Sequence, residues 1–191
     1  MKISKLFVLF YLFLVAQVAI AKEQNQWAHD TSDIAPDPAV TFGALKNGLR
    51  YAVMPHAEPP ERISMRLYVD AGSLMENEDQ QGLAHFIEHM AFNGTKKYPK
   101  QDLVDYLESI GMKFGPDLNA YTSFDETVYM LQVPVEDDAV VEKAFEILSE
   151  WAHNISFDND EIDKERGVIV EEWRLRRGAN ARIGDKKYPI W

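Results

Sequence analysis

Two histidines and a glutamate lie close together in the segment from His85 to His89. Histidines four residues apart on an α-helix are separated by about 40° around the axis and about 6 Å along it, so both imidazoles can bind one cation. Glu88 is near the same face, where its carboxylate can contact a water on that cation without binding the cation itself. This arrangement is typical of a metal site with a general base beside it.

Zinc is the cation that these side chains favour. Two imidazoles and one carboxylate suit Zn2+, with the fourth position left to a water whose pKa falls from 15.7 to about 7. The sequence therefore predicts a zinc cofactor and a hydrolytic reaction. The alternative is that the same residues form the solvent face of an amphipathic helix. The other face of that helix would consist of Leu83, Phe86, Ile87 and Met90.

A third ligand must come from elsewhere in the chain, and two glutamates are candidates. Glu165 and Glu172 are seven residues apart in a predicted helix, so two helical turns place them on one face, about 10 Å apart. Only one of them can readily bind the same ion as the histidines, and the other is then expected beside the site or near the substrate. Two solvated glutamates on a charged helix are the alternative.

The residues around these groups predict alternating blocks of strands and helices. Asp158 is a candidate N-cap of the last predicted helix, and Gly178 is its candidate stop. The order of elements predicts a layered α+β fold. Strands are predicted for 49–55, 63–69, 118–124 and 127–134, and helices for 82–92, 101–111, 136–153 and 158–177.

The first 21 residues have the pattern of a secretory signal peptide. Lys2 and Lys5 form a basic start, the stretch from Leu6 to Ile20 is almost wholly apolar, and residues 19–21 form a small-x-small cleavage site. We therefore predict a periplasmic or secreted protein that has no membrane attachment after the signal peptide 1–21 is cleaved. The alternative is that the apolar stretch stays uncut as a membrane anchor, although roughly 15 apolar residues fall short of the about 20 that a spanning helix needs.

Composition limits what the rest of the chain can be. Residues 22–40 are polar and contain two prolines, which predicts a linker, and 41–191 are sufficient for one domain. The 191-residue chain has no cysteine, so packing, with or without a metal ion, must stabilise an exported form in place of disulfides. A formal net charge of −11 argues against a nucleic-acid partner.

The motif from His85 to His89 is the inverted zinc motif of the inverzincins, and the chain resembles the pitrilysin and insulysin family of metallopeptidases. Three further segments resemble that family: AFNGTKKYP, ESIGMKFGPDLNAYTSFDETVY and DKERGVIVEEWRLRRG. The likeness covers roughly residues 41–191. It implies the N-terminal catalytic domain of a zinc endopeptidase, with helices packed on one face of the sheet and Glu88 as general base.

The same resemblance distinguishes the two glutamates. In that family they occur as Glu-x6-Glu, where the later residue binds zinc and the earlier one supports the site, which makes Glu172 the ligand and Glu165 the supporting residue. The family's usual gap of about 76 residues after the second histidine instead reaches Glu165 from His89, whereas Glu172 lies 83 residues on. We give the local pattern priority, because a few extra residues in the intervening segment would lengthen the gap.

The resemblance also predicts a substrate strand and a partner. Asn119, Ala120 and Tyr121 resemble the edge strand on which family enzymes bind an extended peptide, and an ordinary buried strand is the alternative. Family enzymes enclose a peptide or small protein between two related halves, so a C-terminal half or a homologous subunit is expected. The alternatives are a noncatalytic or incomplete zinc-binding subunit that needs such a half, and a zinc hydrolase acting on a small thioether.

Overall fold

A computed structural model of the chain describes residues 27–100 and 102–187. The predicted signal peptide 1–21 lies outside the described residues. The chain divides into two compact units between Pro59 and Pro60.

The N-terminal unit contains a two-stranded hairpin. Strand β1 (Thr41–Ala44) pairs antiparallel with β2 (Arg50–Val53). The turn between them contains Gly48 at φ +91°, a conformation that favours glycine. The sequence predicted β2 but not β1. In the described part of the predicted linker, residues 27–40, a 3₁₀ turn spans Ala28–Thr31.

The C-terminal unit is built on a three-stranded antiparallel sheet. Its strands are β3 (Arg62–Val69), β4 (Leu118–Thr122) and β5 (Thr127–Pro134), in the spatial order β3-β5-β4. Side chains alternate between the two faces of a strand, so one face carries the apolar positions. This face consists of Ile63, Met65, Leu67, Leu118, Ala120, Tyr129, Leu131 and Val133. Strand β4 lies at an edge of this sheet.

Five α-helices are found among the described residues. They are α1 (Leu83–Met90), α2 (Asp102–Ser109), α3 (Asp138–His153), α4 (Asn159–Leu175) and α5 (Ala179–Lys187). The predicted N-cap of α4 is confirmed, because the Asp158 carboxylate accepts hydrogen bonds from the backbone N–H groups of Asp160 and Glu161. The first four helices were predicted and α5 was not.

The core lies between the apolar face of the sheet and helices α2 and α3. Fully buried leucines of α2 and the buried Ile147 and Trp151 of α3 pack into one cluster with the sheet residues. The α+β fold predicted from the sequence is therefore confirmed. None of the helices in 27–100 and 102–187 is both long enough and apolar enough to cross a bilayer.

Candidate metal centre

Helix α1, which carries the histidine motif, is held at both ends. At its start, the Glu76 carboxylate accepts hydrogen bonds of 2.7 Å from the backbone N–H groups of Gly82 and Ala84. A carboxylate suits this position because it satisfies free N–H donors at the positive end of the helix dipole. At its end, the buried indole of Trp151 donates a hydrogen bond of 3.0 Å to the Ala91 carbonyl. The motif therefore sits on a fixed support.

Three side chains converge on one point beside α1. The Nε2 atoms of His85 and His89 are 3.1 Å apart. Oε2 of Glu172, on α4, lies 3.3 Å from Nε2 of His85 and 3.5 Å from Nε2 of His89. The three atoms thus form a nearly equilateral triangle.

This triangle has the dimensions of a zinc ligand set. A tetrahedral zinc ion with bonds of about 2.0–2.2 Å to nitrogen and oxygen holds its ligand atoms about 3.3–3.5 Å apart. The observed separations of 3.1, 3.3 and 3.5 Å cluster around this value. Two imidazoles and a carboxylate are also a usual zinc donor set. The residues therefore fit the metal in both chemistry and spacing.

The two oxygens of the Glu172 carboxylate differ in their surroundings. Its Oε1 accepts a hydrogen bond from the Arg176 guanidinium. Its Oε2 is buried and, within the described part of the chain, has no hydrogen-bond partner. A buried carboxylate oxygen without a donor is costly unless a cation or water satisfies it. This is the oxygen that faces the two histidines.

Glu165 lies behind His89 rather than beside the triangle. Its Oε1 is 2.6 Å from Nδ1 of His89, and its side chain is buried. A carboxylate at Nδ1 favours the tautomer with the proton on that nitrogen, which leaves the Nε2 lone pair directed at the triangle. Burial lowers the pKa of His85, and the neighbouring His89 lowers that pKa further. A metal ion binds the uncharged form of an imidazole through a free nitrogen lone pair. The Glu165 contact at His89 and the lowered pKa of His85 therefore both favour metal binding.

Glu88 is buried next to the histidines but points to strand β4. Only 8% of its surface is exposed. Its Oε2 accepts a hydrogen bond of 2.6 Å from the Thr122 hydroxyl. The hydroxyl oxygens of Thr122 and Thr127 are 3.5 Å apart. Thr127 in turn donates to the Ala71 carbonyl at 2.9 Å. The hydrogen bond from Thr122 holds one oxygen of the Glu88 carboxylate on the β4 side of the cavity that the histidines also line.

A cavity of about 710 Å³ opens over these groups. Its polar side contains the side chains described above, and residues 119–124 of β4 and the following turn form another wall. Phe92 and Phe114, whose rings are 5.4 Å apart, add an aromatic surface. Charged, hydrogen-bonding and apolar groups therefore surround a space large enough for a segment of peptide.

A sequence profile described as Insulinase (Peptidase family M16) matches residues 51–179. The chain belongs to this family. Its similarity to M16 proteins also extends beyond the profile, since it is 42% identical over 189 residues to the probable zinc protease PqqL of Haemophilus influenzae. That alignment covers 99% of this chain but 20% of the relative, so the chain spans about a fifth of the length of that relative.

Solved M16 structures share the same fold. The first half of the periplasmic protease PqqL from Escherichia coli matches with a TM-score of 0.78 and 42% identity, covering 81% of this chain and 33% of that one. A variant of the ferredoxin protease FusC in complex with Arabidopsis ferredoxin matches with a TM-score of 0.69 and 31% identity, covering 78% of this chain and 17% of that one.

The M16 chain brings all of the site residues predicted from its sequence together around one cavity. His85, His89 and Glu172 offer atoms that lie within 4.8 Å of one another, Glu88 lines the same cavity, and Glu165 contacts His89 from behind. The segment 119–121 lies on the edge strand and lines the cavity. The catalytic, ligand and substrate-binding roles of these residues remain predictions.

Sequence reasoning missed three residues that contact this M16 site: Asn93, Thr122 and Arg176. Two of them carried a detectable signal. Asn93 follows His89 by four residues, the same interval that separates the two histidines. Thr122 follows Ala120 by two residues on a strand, so both lie on the face that also carries Leu118.

Proposed function

We propose that this M16 chain supplies the zinc-binding catalytic centre of an endopeptidase. In this proposal His85, His89 and Glu172 bind Zn2+, and Glu88 is the general base. The observation that carries it is the triangle of two Nε2 atoms and one Oε2 atom with sides of 3.1, 3.3 and 3.5 Å. The names of the zinc protease relatives are consistent with it.

The chemistry divides between the metal and the chain. Bound zinc would supply a Lewis acid that lowers the pKa of a water molecule and polarises a peptide carbonyl. Glu88 would accept the proton of the attacking water and deliver it to the leaving amine. Because Thr122 occupies Oε2 of Glu88, Oε1 is the oxygen available for this proton. Glu165 would keep the His89 ring oriented throughout.

Strand β4 offers a place for an extended peptide substrate. The backbone N–H of Ala120 is directed away from β5 and donates to its own neighbour, Oδ1 of Asn119, at 2.9 Å. The side chains of Asn119 and Tyr121 are exposed. We propose that a peptide pairs with this edge through main-chain hydrogen bonds, which would place a scissile bond in the cavity beside Glu88.

Targeting and domain boundaries belong to the same proposal. Residues 1–21 would be a cleavable signal peptide, 22–40 a linker, and 41–191 the catalytic domain. The protein would then act either outside the cell or in the periplasm, and the similar protease PqqL is described as periplasmic. Its substrates would be peptides or small proteins, in line with the relative that was solved with ferredoxin.

The second candidate function is an incomplete zinc-binding unit that needs a further half to cleave substrate. One observation favours it: the chain spans 20% of the length of its Haemophilus influenzae relative and 33% of the solved first half of the Escherichia coli protein. In that case a C-terminal half or a homologous subunit would close the cavity over the substrate.

Zinc content and peptide cleavage, measured on the same preparations, test the proposal. We expect the purified chain to hold one zinc ion and Glu88→Gln to retain it while losing cleavage of an unstructured peptide. Glu78→Gln is the matched control, because Glu78 is exposed. A wild-type chain that binds no zinc would refute the proposed site, and equal cleavage by Glu88→Gln would refute the base role. Zinc binding without cleavage by any form would favour the second candidate.

A further inference from the structure

The two oxygens of the Glu165 carboxylate have different partners. Oε1 is 2.6 Å from Nδ1 of His89, and Oε2 accepts a hydrogen bond of 2.6 Å from Nδ2 of Asn93. Only 9% of Glu165 is exposed, so water has little access to replace either partner. Asn93, Glu165 and His89 thus form a hydrogen-bonded chain that ends at the candidate metal centre.

The Asn93 amide is presented from a well-supported backbone. Its N–H donates to the Met90 carbonyl at 3.1 Å, in the last turn of the segment that carries the histidines. The next residue, Gly94, has φ +131°, and its carbonyl accepts a hydrogen bond of 3.0 Å from the Ser156 N–H. A Cβ atom at position 94 would lie only 2.6 Å from the backbone nitrogen of Lys100, so the close approach of the two backbones requires glycine. The amide therefore reaches Glu165 from a defined direction.

We propose that Asn93 is a positioning residue for the metal centre. Its amide fixes the rotation of the Glu165 carboxylate, and Glu165 in turn orients the His89 imidazole. This inference rests on the proposed function, because it takes His89 to be a zinc ligand. Asn93 lines the same cavity, and its side-chain amide donates to Glu165.

An amide is well suited to this task. A carboxylate with a single donor can rotate about its last bond, whereas two donors on its two oxygens fix its plane. A lysine or arginine at position 93 would also fix the plane but would compete with His89 for the negative charge of Glu165. The neutral Asn93 amide orients the carboxylate and leaves that charge available to the imidazole.

Zinc affinity measured by chelator competition tests the role of Asn93. We expect Asn93→Leu, which keeps the side-chain size but removes the donor, to weaken zinc binding by roughly tenfold or more, as is usual for residues that orient metal ligands. Asn93→Ala is a second variant with the same expectation if the leucine is not accommodated. Asn159→Ala is the matched control, because Asn159 is exposed at the start of α4, and it should bind zinc as the wild type does.

A double-mutant cycle separates positioning from general structural damage. If Asn93 acts through Glu165, then adding Asn93→Leu to Glu165→Gln should change zinc affinity by less than about twofold. The absorption spectrum of the Co2+-loaded chain should shift in Asn93→Leu and in Glu165→Gln, because the ligand geometry changes, but not in Asn159→Ala.

The possible failures are distinguishable. Wild-type affinity in both Asn93→Leu and Asn93→Ala would overturn the positioning role while leaving the zinc site intact. An equal loss in the wild-type and Glu165→Gln backgrounds would also overturn it, since the effect would then bypass Glu165. A wild-type chain with no zinc affinity would refute the proposed function and the role of Asn93 together.

Discussion

The Thr122 hydroxyl on β4 donates a hydrogen bond of 2.6 Å to Oε2 of Glu88 on α1. This contact joins the edge strand to the helix that carries both histidines. Glu88 is 8% exposed, so water has little access to replace the Thr122 donor. The proposed substrate strand and the proposed general base are therefore mechanically linked through a single hydroxyl group.

Loss of that hydroxyl should destabilise the zinc-free chain. Thr122→Val keeps the side-chain shape and removes the donor, so we expect the free energy of unfolding to fall by about 1.5–3 kcal/mol, the range for a hydrogen bond to a charged group. Urea denaturation measures this change. Thr122→Ser retains the hydroxyl and should recover most of the loss; a serine variant as unstable as the valine variant would contradict this explanation.

The two glutamates of α4 should differ in their effect on zinc binding. Glu165→Gln should weaken zinc affinity by about 10–100-fold, because it disturbs the orientation of His89. Glu172→Gln should have the larger effect, since it removes the charged oxygen that lies 3.3 and 3.5 Å from the two histidine nitrogens. Equilibrium dialysis against buffered zinc gives both values. The reverse order would make Glu165 the better candidate ligand.

Trp151 should matter for the support of the histidine helix. Trp151→Phe leaves the buried Ala91 carbonyl without its indole donor, so we expect a loss of about 1–3 kcal/mol in the free energy of unfolding. Trp173→Phe is the matched control, because 59% of Trp173 is exposed, and it should change stability by no more than about 0.5 kcal/mol. Thermal unfolding followed by circular dichroism compares the two. Similar losses in both variants would show that the buried hydrogen bond is unimportant.

Glu146 should contribute to the acid sensitivity of the fold. Its carboxylate accepts hydrogen bonds from three side chains: Lys97, Tyr98 and Lys143. These bonds lower the pKa of Glu146 to about 2. Because the folded-state pKa lies below the unfolded-state value, the stabilisation is complete above the ordinary glutamate pKa of about 4.3 and is lost as the pH falls toward 2.

This pH dependence can be measured as a difference between variants. The melting temperature of the wild type should exceed that of Glu146→Gln at pH 5 and approach it near pH 2. Glu142→Gln, at an exposed position on the same helix, should follow the wild type over this range. A constant difference between wild type and Glu146→Gln from pH 5 to pH 2 would exclude this contribution.

Local sequence patterns predicted many of the elements because local forces dominate there. The alternating Ile63, Met65 and Leu67 predicted β3, and Asp158 predicted the start of α4, where its side chain binds two backbone N–H groups. Strand β1 was missed because four residues with no strong alternation carry little signal. Helix α5 was missed because it begins directly after Gly178, which reads as a stop rather than as a junction between helices.

The sequence by itself determined that His85, Glu88 and His89 share one short helix, because helical geometry fixes the relation of residues three and four apart. Only the tertiary structure decided that Oε2 of Glu172 faces both histidines while Glu165 lies behind His89. It also decided that Thr122 meets Glu88. These partners lie 34 or more positions apart in the chain, and their distances depend on how α1, α4 and β4 pack, which no local pattern encodes.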